Sequence, residues 1–223
     1  PLIFSPNLGS SIKYYKKDKD VFAGPEYALI SPKFYNASIK NKNFKIKKIS
    51  SHVLIQMGAI DSKNNIQRIL NILKTYNSSI KHITIILNNN APHIKKIKNL
   101  LESFNSSLLL EVKTPNKMIS LYREHNLIIG AAGVSLLERV SLGIYHLAFS
   151  VNKNQDLNLQ SFDKHKLGIS GGRINKITKS ELNLILKEFI SANHSQYINN
   201  NSYNKIIDGR GSKRIVRILK ERI

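Results

Sequence analysis

The chain has no cysteine and no tryptophan, and only 14 of its 223 residues are acidic. The absence of cysteine excludes disulfides and thiolate metal sites, and it is typical of proteins that work in a reducing compartment. No apolar run reaches the roughly 18 residues that a membrane-spanning helix needs. We therefore expect a cytoplasmic protein without a membrane partner.

The scarcity of acidic residues leaves a formal net charge of +21, because 35 residues are lysine or arginine. A surplus this large raises the question of nucleic-acid binding. The basic residues are nevertheless spread along the whole chain. Their two local concentrations, residues 40–48 and 210–222, do not carry the repeated aromatic side chains of a single-strand groove. We therefore predict a solvated basic surface that attracts anionic small molecules and no nucleic acid, with a non-catalytic basic binding module as the alternative.

From His52 onward, short apolar runs alternate with segments of helical periodicity. The runs predict strands over residues 52–57, 82–87, 107–112, 126–130, 144–151 and 167–170. The other segments predict helices over residues 64–76, 92–104, 115–125, 135–143, 156–166, 179–190 and 212–219. Continuously apolar strands that alternate with helices are typical of a parallel sheet covered on both faces. The sequence therefore predicts an α/β, Rossmann-like domain over residues 50–205, with a mainly parallel sheet.

The N-terminal part of the chain does not follow this alternation. Residues 22–34 are rich in proline and tyrosine and indicate an extended segment. Residues 35–48 are polar and predict a linker. The chain therefore has one predicted domain and a differently organised segment before it.

In open α/β sheets, ligands bind at the carboxyl ends of the strands. The stretch GAAGVSLLE begins there, at Gly130. Small residues such as Gly133 let a ligand approach the backbone, and the amides of Val134 and Ser135 would open the next helix. A helix start of this kind binds phosphate or diphosphate. Glu138, one turn into the helix, could accept hydrogen bonds from both hydroxyls of a ribose.

The same letters have a second interpretation. Ser135 and Glu138 have the S-x-x-E spacing of a capping box, which stabilises a helix start without any ligand. For this stretch alone, the capping box is the favoured interpretation. Both interpretations hold together if the serine hydroxyl caps the helix while the backbone amides face a phosphate.

Two further loops carry candidate binding residues. In MGAIDSKN, Gly58 directly follows a strand and Asp61 precedes a helix, although for this loop alone a bare turn with an N-cap aspartate is the favoured interpretation. In NKNQD, Asn154 and Gln155 are amide side chains suited to sugar hydroxyls, with helix capping as the alternative. The histidines form no H-x-x-x-H pattern and have no cluster of carboxylates beside them, so we predict no metal and no cofactor.

Taken together, these loops resemble the UDP-sugar hydrolases of pseudaminic acid biosynthesis. That family has the glycosyltransferase-B fold and splits UDP from UDP-2,4-diacetamido-2,4,6-trideoxy-β-L-altropyranose. GPEYALISPKF (residues 24–34) is similar to the family's interdomain segment, GAIDSKN to its G-G-x-D loop, and GAAGVSLLERVSLGI to its G-A-G-G-S-T-x-W-E loop and helix. NLG (residues 7–9), NKNQ and DGRGSKRI (residues 208–215) match its other landmarks.

Four residues depart from the family's motifs. Ala59 and Ala132 replace glycines, Val134 replaces a small hydroxyl residue, and Leu137 replaces a tryptophan. The family's first-domain loop, G-x-G-H-x-x-R, has no counterpart in the sequence, although its histidine assists the attack of water at the anomeric carbon. The resemblance therefore implies the C-terminal half of a glycosyltransferase-B enzyme whose catalytic residues lie outside this chain.

The resemblance also implies a division of the chain. Residues 1–49 would be a remnant of the N-terminal domain with the interdomain linker, and residues 206–223 a C-terminal helix that packs back toward that domain. Residues 50–205 would bind the UDP-sugar. We expect a monomer whose protein partner is the N-terminal domain of the same enzyme.

Within the binding domain, the resemblance gives each candidate a role. The diphosphate would lie on the Gly133–Ser135 backbone, the ribose on Glu138, and the sugar beside Asn154 and Gln155, while Gly58 would allow close approach. A glycosyltransferase of the same fold, using a UDP-sugar donor, is the alternative.

Overall fold

The computed structural model describes residues 2–15, 20–40, 51–192 and 207–222. Its strands are β1 (Leu2–Ser5), β2 (Asp20–Ala23), β3 (His52–Gln56), β4 (His82–Ile86), β5 (Ser107–Leu110), β6 (Leu127–Ala131), β7 (Leu147–Ser150) and β8 (Ile169–Arg173). Its α-helices are α1 (Pro32–Lys40), α2 (Asn65–Leu73), α3 (Ile94–Leu101), α4 (Pro115–Glu124), α5 (Val134–Ser141), α6 (Asp156–Lys164), α7 (Lys179–Ser191) and α8 (Gly211–Arg222).

Strands β3 to β8 form one sheet in the order β5-β4-β3-β6-β7-β8, and every pair of neighbours is parallel. The chain builds the sheet outward from β3 in one direction and then outward from β6 in the other. The strand order therefore reverses between β3 and β6, where Gln56 pairs with Gly130. In such sheets a crevice opens outside the carboxyl ends of the two strands at the reversal. The predicted Rossmann-like, mainly parallel fold is confirmed.

Successive residues of the central strands face opposite layers of helices, which explains why the strands are apolar throughout. Val53 and Ile55 of β3 belong to the core layer that contains the apolar faces of α2, α3 and α7. Leu54, between them, belongs to the layer formed with α1, α4, α5 and α6. Burial of each large aliphatic side chain contributes about 1.5–3 kcal/mol, so both layers hold the sheet in place.

Residues that the sequence singled out lie at the start of α2 and at the end of α5. The Asp61 carboxylate accepts hydrogen bonds from the N–H groups of Asn65 and Ile66, at 2.9 and 2.8 Å, so it satisfies the first amides of α2, although the N-cap residue is Asn64 and not Asp61. Gly143 follows α5 with a φ of +71°, which confirms the predicted C-cap glycine. Asp61 therefore sets the start of α2 at the crevice, and Gly143 ends α5 at the end away from it.

The predicted linker over residues 35–48 is wrong as far as Lys40, because that part of the chain belongs to α1. Pro32 begins the helix, and Phe34 is buried against the core layer on the α4 and α5 side. A proline start and one apolar face are enough to fold this polar segment as a helix. The rest of the predicted linker lies outside the described residues.

The N-terminal segment forms a small parallel sheet of β1 and β2, against which the C-terminal helix packs. Phe4, Phe22 and Tyr27 form an aromatic cluster there, with ring centroids 5.3–6.3 Å apart. Gly211, the first residue of α8, lies against the backbone of residues 27 and 28, and Arg222 pairs with Asp20 at 2.6 Å. The division of the chain into domain remnant, binding domain and returning helix stays a prediction.

No helix in the described part of the chain combines the length and the apolar composition that a membrane span requires.

Candidate functional site

The three predicted loops lie at one edge of the sheet, because they follow β3, β6 and β7, which are neighbours. The loop after β3 reaches the loop after β7, where Lys63 donates a hydrogen bond from Nζ to the Asn152 Oδ1 at 3.2 Å. The loop after β6 also meets the loop after β7, since a Cβ added at Gly133 would lie 3.3 Å from the Gln155 Nε2. The structure therefore brings the three candidate loops together at the crevice.

Helix α5 begins at this crevice without a side-chain cap. Its N-cap residue is Gly133, and no side chain accepts a hydrogen bond from its first amides. The predicted capping box is therefore wrong, because the N-cap position belongs to Gly133 and Ser135 lies two positions further into the helix. A capping box does occur in the described chain at α7, between Thr178 and Glu181. The first N–H groups of α5 thus stay open, at the positive end of the helix dipole.

Two glycines at the crevice have opposite roles. Gly58 has a φ of +102° and is exposed, and a Cβ added there would meet nothing within 4 Å. Its backbone can therefore be approached closely from the crevice. Gly130 is buried, and a Cβ there would lie 2.6 Å from the guanidinium of Arg139. Gly130 makes room for an arginine, and the geometry gives no support to its predicted contact with a ligand.

Asp61 is committed to the fold rather than open to a ligand. Besides satisfying the first amides of α2, its Oδ1 accepts a hydrogen bond from the Asn65 Nδ2 at 3.0 Å, and the side chain is buried. Burial raises the pKa of the Asp61 carboxyl, whereas the hydrogen bonds from Asn65 and Ile66 oppose that rise. The carboxylate therefore shapes the loop that carries Gly58.

Glu138 faces a pocket of about 250 Å³ beside the crevice. The carboxyl ends of β3, β4 and β5 and parts of α1, α4 and α5 enclose it, and its lining residues are Phe34, Gln56, Ile86, Val112, Lys113, Thr114, Pro115, Met118 and Glu138. Burial raises the pKa of Glu138 to about 7, although the charge of Arg139 lowers it. The pocket therefore has walls of mixed polar and apolar side chains and one carboxyl group that can accept hydrogen bonds.

The predicted sugar-binding residues lie on a short 3-10 helix, residues 153–155, at the rim of the crevice. Asn154 is exposed, and the Gln155 Oε1 accepts a hydrogen bond from the Val151 N–H at 3.1 Å. The next residue, Asp156, pairs with Arg173 of β8. The base of this loop is thus held from the neighbouring strand, while Asn154 is free to face solvent. Val134, at the opposite side, is 61% exposed.

The sequence analysis missed a buried polar network beneath the crevice. Arg139 is fully buried, and it donates from one terminal nitrogen to the Gln56 Oε1 at 3.0 Å and from the other to the Ala131 carbonyl at 2.8 Å. The Tyr122 hydroxyl also donates to the Gln56 Oε1, at 2.8 Å. The signal in the sequence is the glutamine that ends the apolar run HVLIQ and the arginine inside the apolar run LLERV.

The described histidines do not form a catalytic cluster at the crevice. His52, His82 and His125 lie together at the opposite, amino edge of the sheet, with ring centroids 5.3–6.1 Å apart. His146 is fully buried, and the His93 Nε2 lies 3.1 Å from the carbonyl of Ser62. Across the ranges that the structure describes, no group of three or more histidine, aspartate or glutamate side chains could hold a metal ion.

No protein-family model matches the chain. The chain is 21% identical over 209 residues to the spore coat polysaccharide biosynthesis protein SpsG of Bacillus subtilis (strain 168). That match covers 93% of this chain and 60% of SpsG. The chain therefore spans only part of the length of this relative.

Among solved structures, the chain is similar to MurG of Acinetobacter baumannii, with a TM-score of 0.60 and 13% identity over 99% of this chain and 66% of MurG. It is also similar to UDP-GlcNAc 2-epimerase from Neisseria meningitidis bound to UDP-GlcNAc. There the TM-score is 0.57, with 21% identity over 79% of this chain and 46% of the epimerase. These likenesses concern the fold, and they confirm the Rossmann-like half of a glycosyltransferase-B architecture.

Proposed function

We propose that this chain is the nucleotide-binding half of an enzyme that acts on a UDP-sugar. The observation that carries the proposal is the uncapped start of α5, which stands at the strand-order reversal beside the pocket of Glu138. The names of the relatives are consistent with it, since SpsG belongs to polysaccharide biosynthesis and the epimerase structure holds UDP-GlcNAc.

The diphosphate would lie on the start of α5. The N–H groups of Val134 and Ser135 have no partner within the helix, and Gly133 has no side chain to keep a phosphate away. Gly58, across the strand-order reversal, leaves open space on the other side. The net charge of +21 would add a long-range attraction for a doubly charged ligand.

The nucleoside would occupy the pocket of Glu138. The apolar part of its lining, which includes Ile86, Val112 and Met118, suits a flat base. An ionised Glu138 can accept hydrogen bonds from both ribose hydroxyls, and within the described chain no donor already bonds its carboxylate. Glu138 lies about one turn from the start of α5. One nucleotide can therefore contact both the pocket and the first amides of this helix.

The sugar would extend toward Asn154 and Gln155, the amide side chains at the rim. As the bond to the sugar breaks, negative charge grows on the departing phosphate oxygen, and the open amides of α5 would stabilise it. The described crevice contains no histidine placed as a general base. The base would therefore come from the N-terminal domain, which we propose as the partner of this chain.

For the reaction, we propose hydrolysis of UDP-2,4-diacetamido-2,4,6-trideoxy-β-L-altropyranose, on the strength of the resemblance in the loops. A glycosyltransferase with a UDP-sugar donor is the second candidate, favoured by the departures of Ala132, Val134 and Leu137 from the hydrolase motif. With the N-terminal domain present, release of UDP in water alone favours the hydrolase. Release that requires an added acceptor favours the transferase.

Calorimetric titration tests the binding site itself. Wild type and Glu138→Gln would each be titrated with UDP and with 2′,3′-dideoxy-UDP, which lacks the diol. We expect the variant to lose about 1–3 kcal/mol of UDP binding and almost nothing with the dideoxy nucleotide, because only the diol needs the carboxylate. Glu102→Gln, exposed at the end of α3, is the matched control and should bind like wild type. Absence of UDP binding to wild type, or equal UDP affinity in wild type and Glu138→Gln, would contradict the proposal.

A further inference from the structure

Arg139 is a buried cation without a paired anion. It is 0% exposed, and no carboxylate of the described residues lies within ion-pair distance of it. Its Nε–H also has no hydrogen-bond partner there. A buried charge left without a counter-ion is costly to folding. An arginine kept in such a place therefore calls for a role that the fold alone does not give it.

The position of Arg139 points to the pocket. Its guanidinium bridges Gln56 at the end of β3 and the carbonyl of Ala131 at the end of β6, so it ties together the two strands at the reversal. Gly130 gives it the space to do so. Gln56 also lines the pocket that Glu138 faces. The Arg139 guanidinium thus lies behind Gln56, which forms part of the pocket wall. Its buried surroundings screen the positive charge poorly.

We propose that Arg139 is a positioning residue for ligand binding: its buried guanidinium, behind Gln56 in the pocket wall, favours the ionised form of the Glu138 carboxyl that accepts the hydroxyls of a ribose, and it fixes the pocket floor through Gln56. This inference rests on the proposed nucleotide site. It adds a residue that touches no ligand and that acts through Glu138.

The other charged and titratable groups around Glu138 leave Arg139 as the main cation that favours its ionised form. Burial raises the pKa of Tyr122, so the phenol on α4 stays neutral. Lys113, between β5 and α4, is exposed and pairs with Glu111 at 3.7 Å, so water screens its charge. Burial holds the pKa of His146 well below its ordinary value, so that imidazole is neutral as well.

A dependence of binding on pH follows. Burial raises the pKa of Glu138 to about 7, and Arg139 keeps it from rising further. Only the ionised carboxyl accepts both hydroxyls, so below that pKa the affinity should fall about tenfold per pH unit. Without Arg139 the midpoint of this fall should move to higher pH, and affinity at neutral pH should drop about fivefold for the first unit of movement and about tenfold for each further unit.

The experiment is calorimetric titration with UDP-GlcNAc from about pH 5.5 to about pH 8.5, because its diphosphate diester has no proton that titrates there and its uracil ring stays mostly neutral. The test variant is Arg139→Gln. Gly130→Ala is the second variant, since its Cβ would push the end of the flexible arginine side chain away without removing it. Arg68→Gln is the matched control, because Arg68 also donates to two carbonyls, those of Ile174 and Ile177, but on the α2 side of the fold.

We expect the midpoint of binding to move upward in Arg139→Gln and, by a smaller amount, in Gly130→Ala, with affinity recovering at high pH. Arg68→Gln should leave the midpoint in place. A loss of affinity in Arg139→Gln that is equal at every pH would overturn the inference, because it would mean that the arginine only holds the fold. If Arg139→Gln did not fold, an unmoved midpoint in Gly130→Ala would also overturn the inference. Absence of binding by wild type at any pH would instead contradict the proposed function.

Discussion

Two clusters of polar groups at opposite ends of the strands differ in how far the fold satisfies their hydrogen bonds. At the amino edge, His125 donates from Nδ1 to the Leu121 carbonyl at 2.7 Å, so its Nε2 must accept from the Thr84 hydroxyl at 2.7 Å. Thr84 then accepts from the His82 Nε2 at 3.0 Å, and the His82 Nδ1 accepts from the Ser106 hydroxyl at 2.7 Å. Every group in this chain of hydrogen bonds has its partner in the fold.

At the carboxyl edge, several polar groups have no hydrogen-bond partner among the described residues. The first amides of α5 have no cap, the Glu138 carboxylate accepts no hydrogen bond from the described residues, and the Arg139 Nε–H is unpartnered. Buried or half-buried polar groups without partners cost stability. The contrast indicates that the cluster at the amino edge holds the sheet together, and the first amides of α5 and the Glu138 carboxylate at the carboxyl edge are the groups left for the proposed ligand.

Blocking the open edge should have the largest effect on binding. In Gly133→Val, the new side chain would fill the space in front of the first amides of α5, where the Gln155 Nε2 already lies 3.3 Å from the Cβ position. We expect UDP affinity to fall about a hundredfold, or about 3 kcal/mol, with little loss of thermal stability. Calorimetry and thermal unfolding measure the two quantities. An affinity within about twofold of wild type would mean that the ligand does not use this helix start.

Removing a partner at the closed edge should affect stability instead. Thr84→Val deletes the hydroxyl that His82 and His125 share at a fully buried position. We expect a loss of about 1–3 kcal/mol in the free energy of unfolding, measured in urea, because two imidazole nitrogens lose their partner. UDP affinity should not change. A fall in affinity without a fall in stability would erase the contrast between the edges.

Acid should weaken the closed edge. Burial lowers the pKa of both His82 and His125 in the folded state, so below the ordinary value of 6.5 the unfolded chain binds more protons. Stability should therefore be full above that pH and fall as the pH drops below it, by at most about 1.4 kcal/mol per pH unit for each histidine and less for the half-exposed His82. Urea unfolding across this range measures it. Constant stability from neutral pH to about pH 5 is the contrary result.

Two helix starts give the smallest and most closely matched comparison. Thr178→Ala removes a true capping box on α7 and should cost about 1 kcal/mol of stability. Ser135→Ala, at the start of α5, should cost close to nothing, because that serine caps no amide. Unfolding in urea measures both. Equal losses in the two variants would indicate that Ser135 does cap its helix.

Much of the fold could be predicted because buried parallel strands must be apolar on both faces. Runs such as HITIIL therefore identify strands directly, and the helices between them follow from the spacing of residues such as Ile66, Ile69 and Leu70. Helix α1 could not be predicted in the same way, because Phe34 is the main apolar anchor in an otherwise polar segment. Its burial depends on contacts with α4 and α5, which are distant in sequence.

The site was predictable in its place but not in its details. Parallel topology alone brings the loops of Gly58, Gly133 and Gln155 to one edge. A shift of two residues, from Ser135 to Gly133, in the N-cap of α5 decided whether Ser135 could form a capping box, and local spacing does not fix a helix start that closely. The burial of Arg139 could not be predicted, because arginine in a helix is usually exposed. Its burial depends on Gly130, which lies in another element.

The central claim is that a nucleotide diphosphate binds at the open edge, on the start of α5. The most direct measurement is the change in backbone amide NMR shifts when UDP is added to isotope-labelled protein. We predict the largest changes at Val134 and Ser135, further changes at Gly58, and none at Thr84 of the closed edge. Saturating UDP that leaves the amides of Val134 and Ser135 unmoved, or that shifts the amino edge instead, would contradict the account.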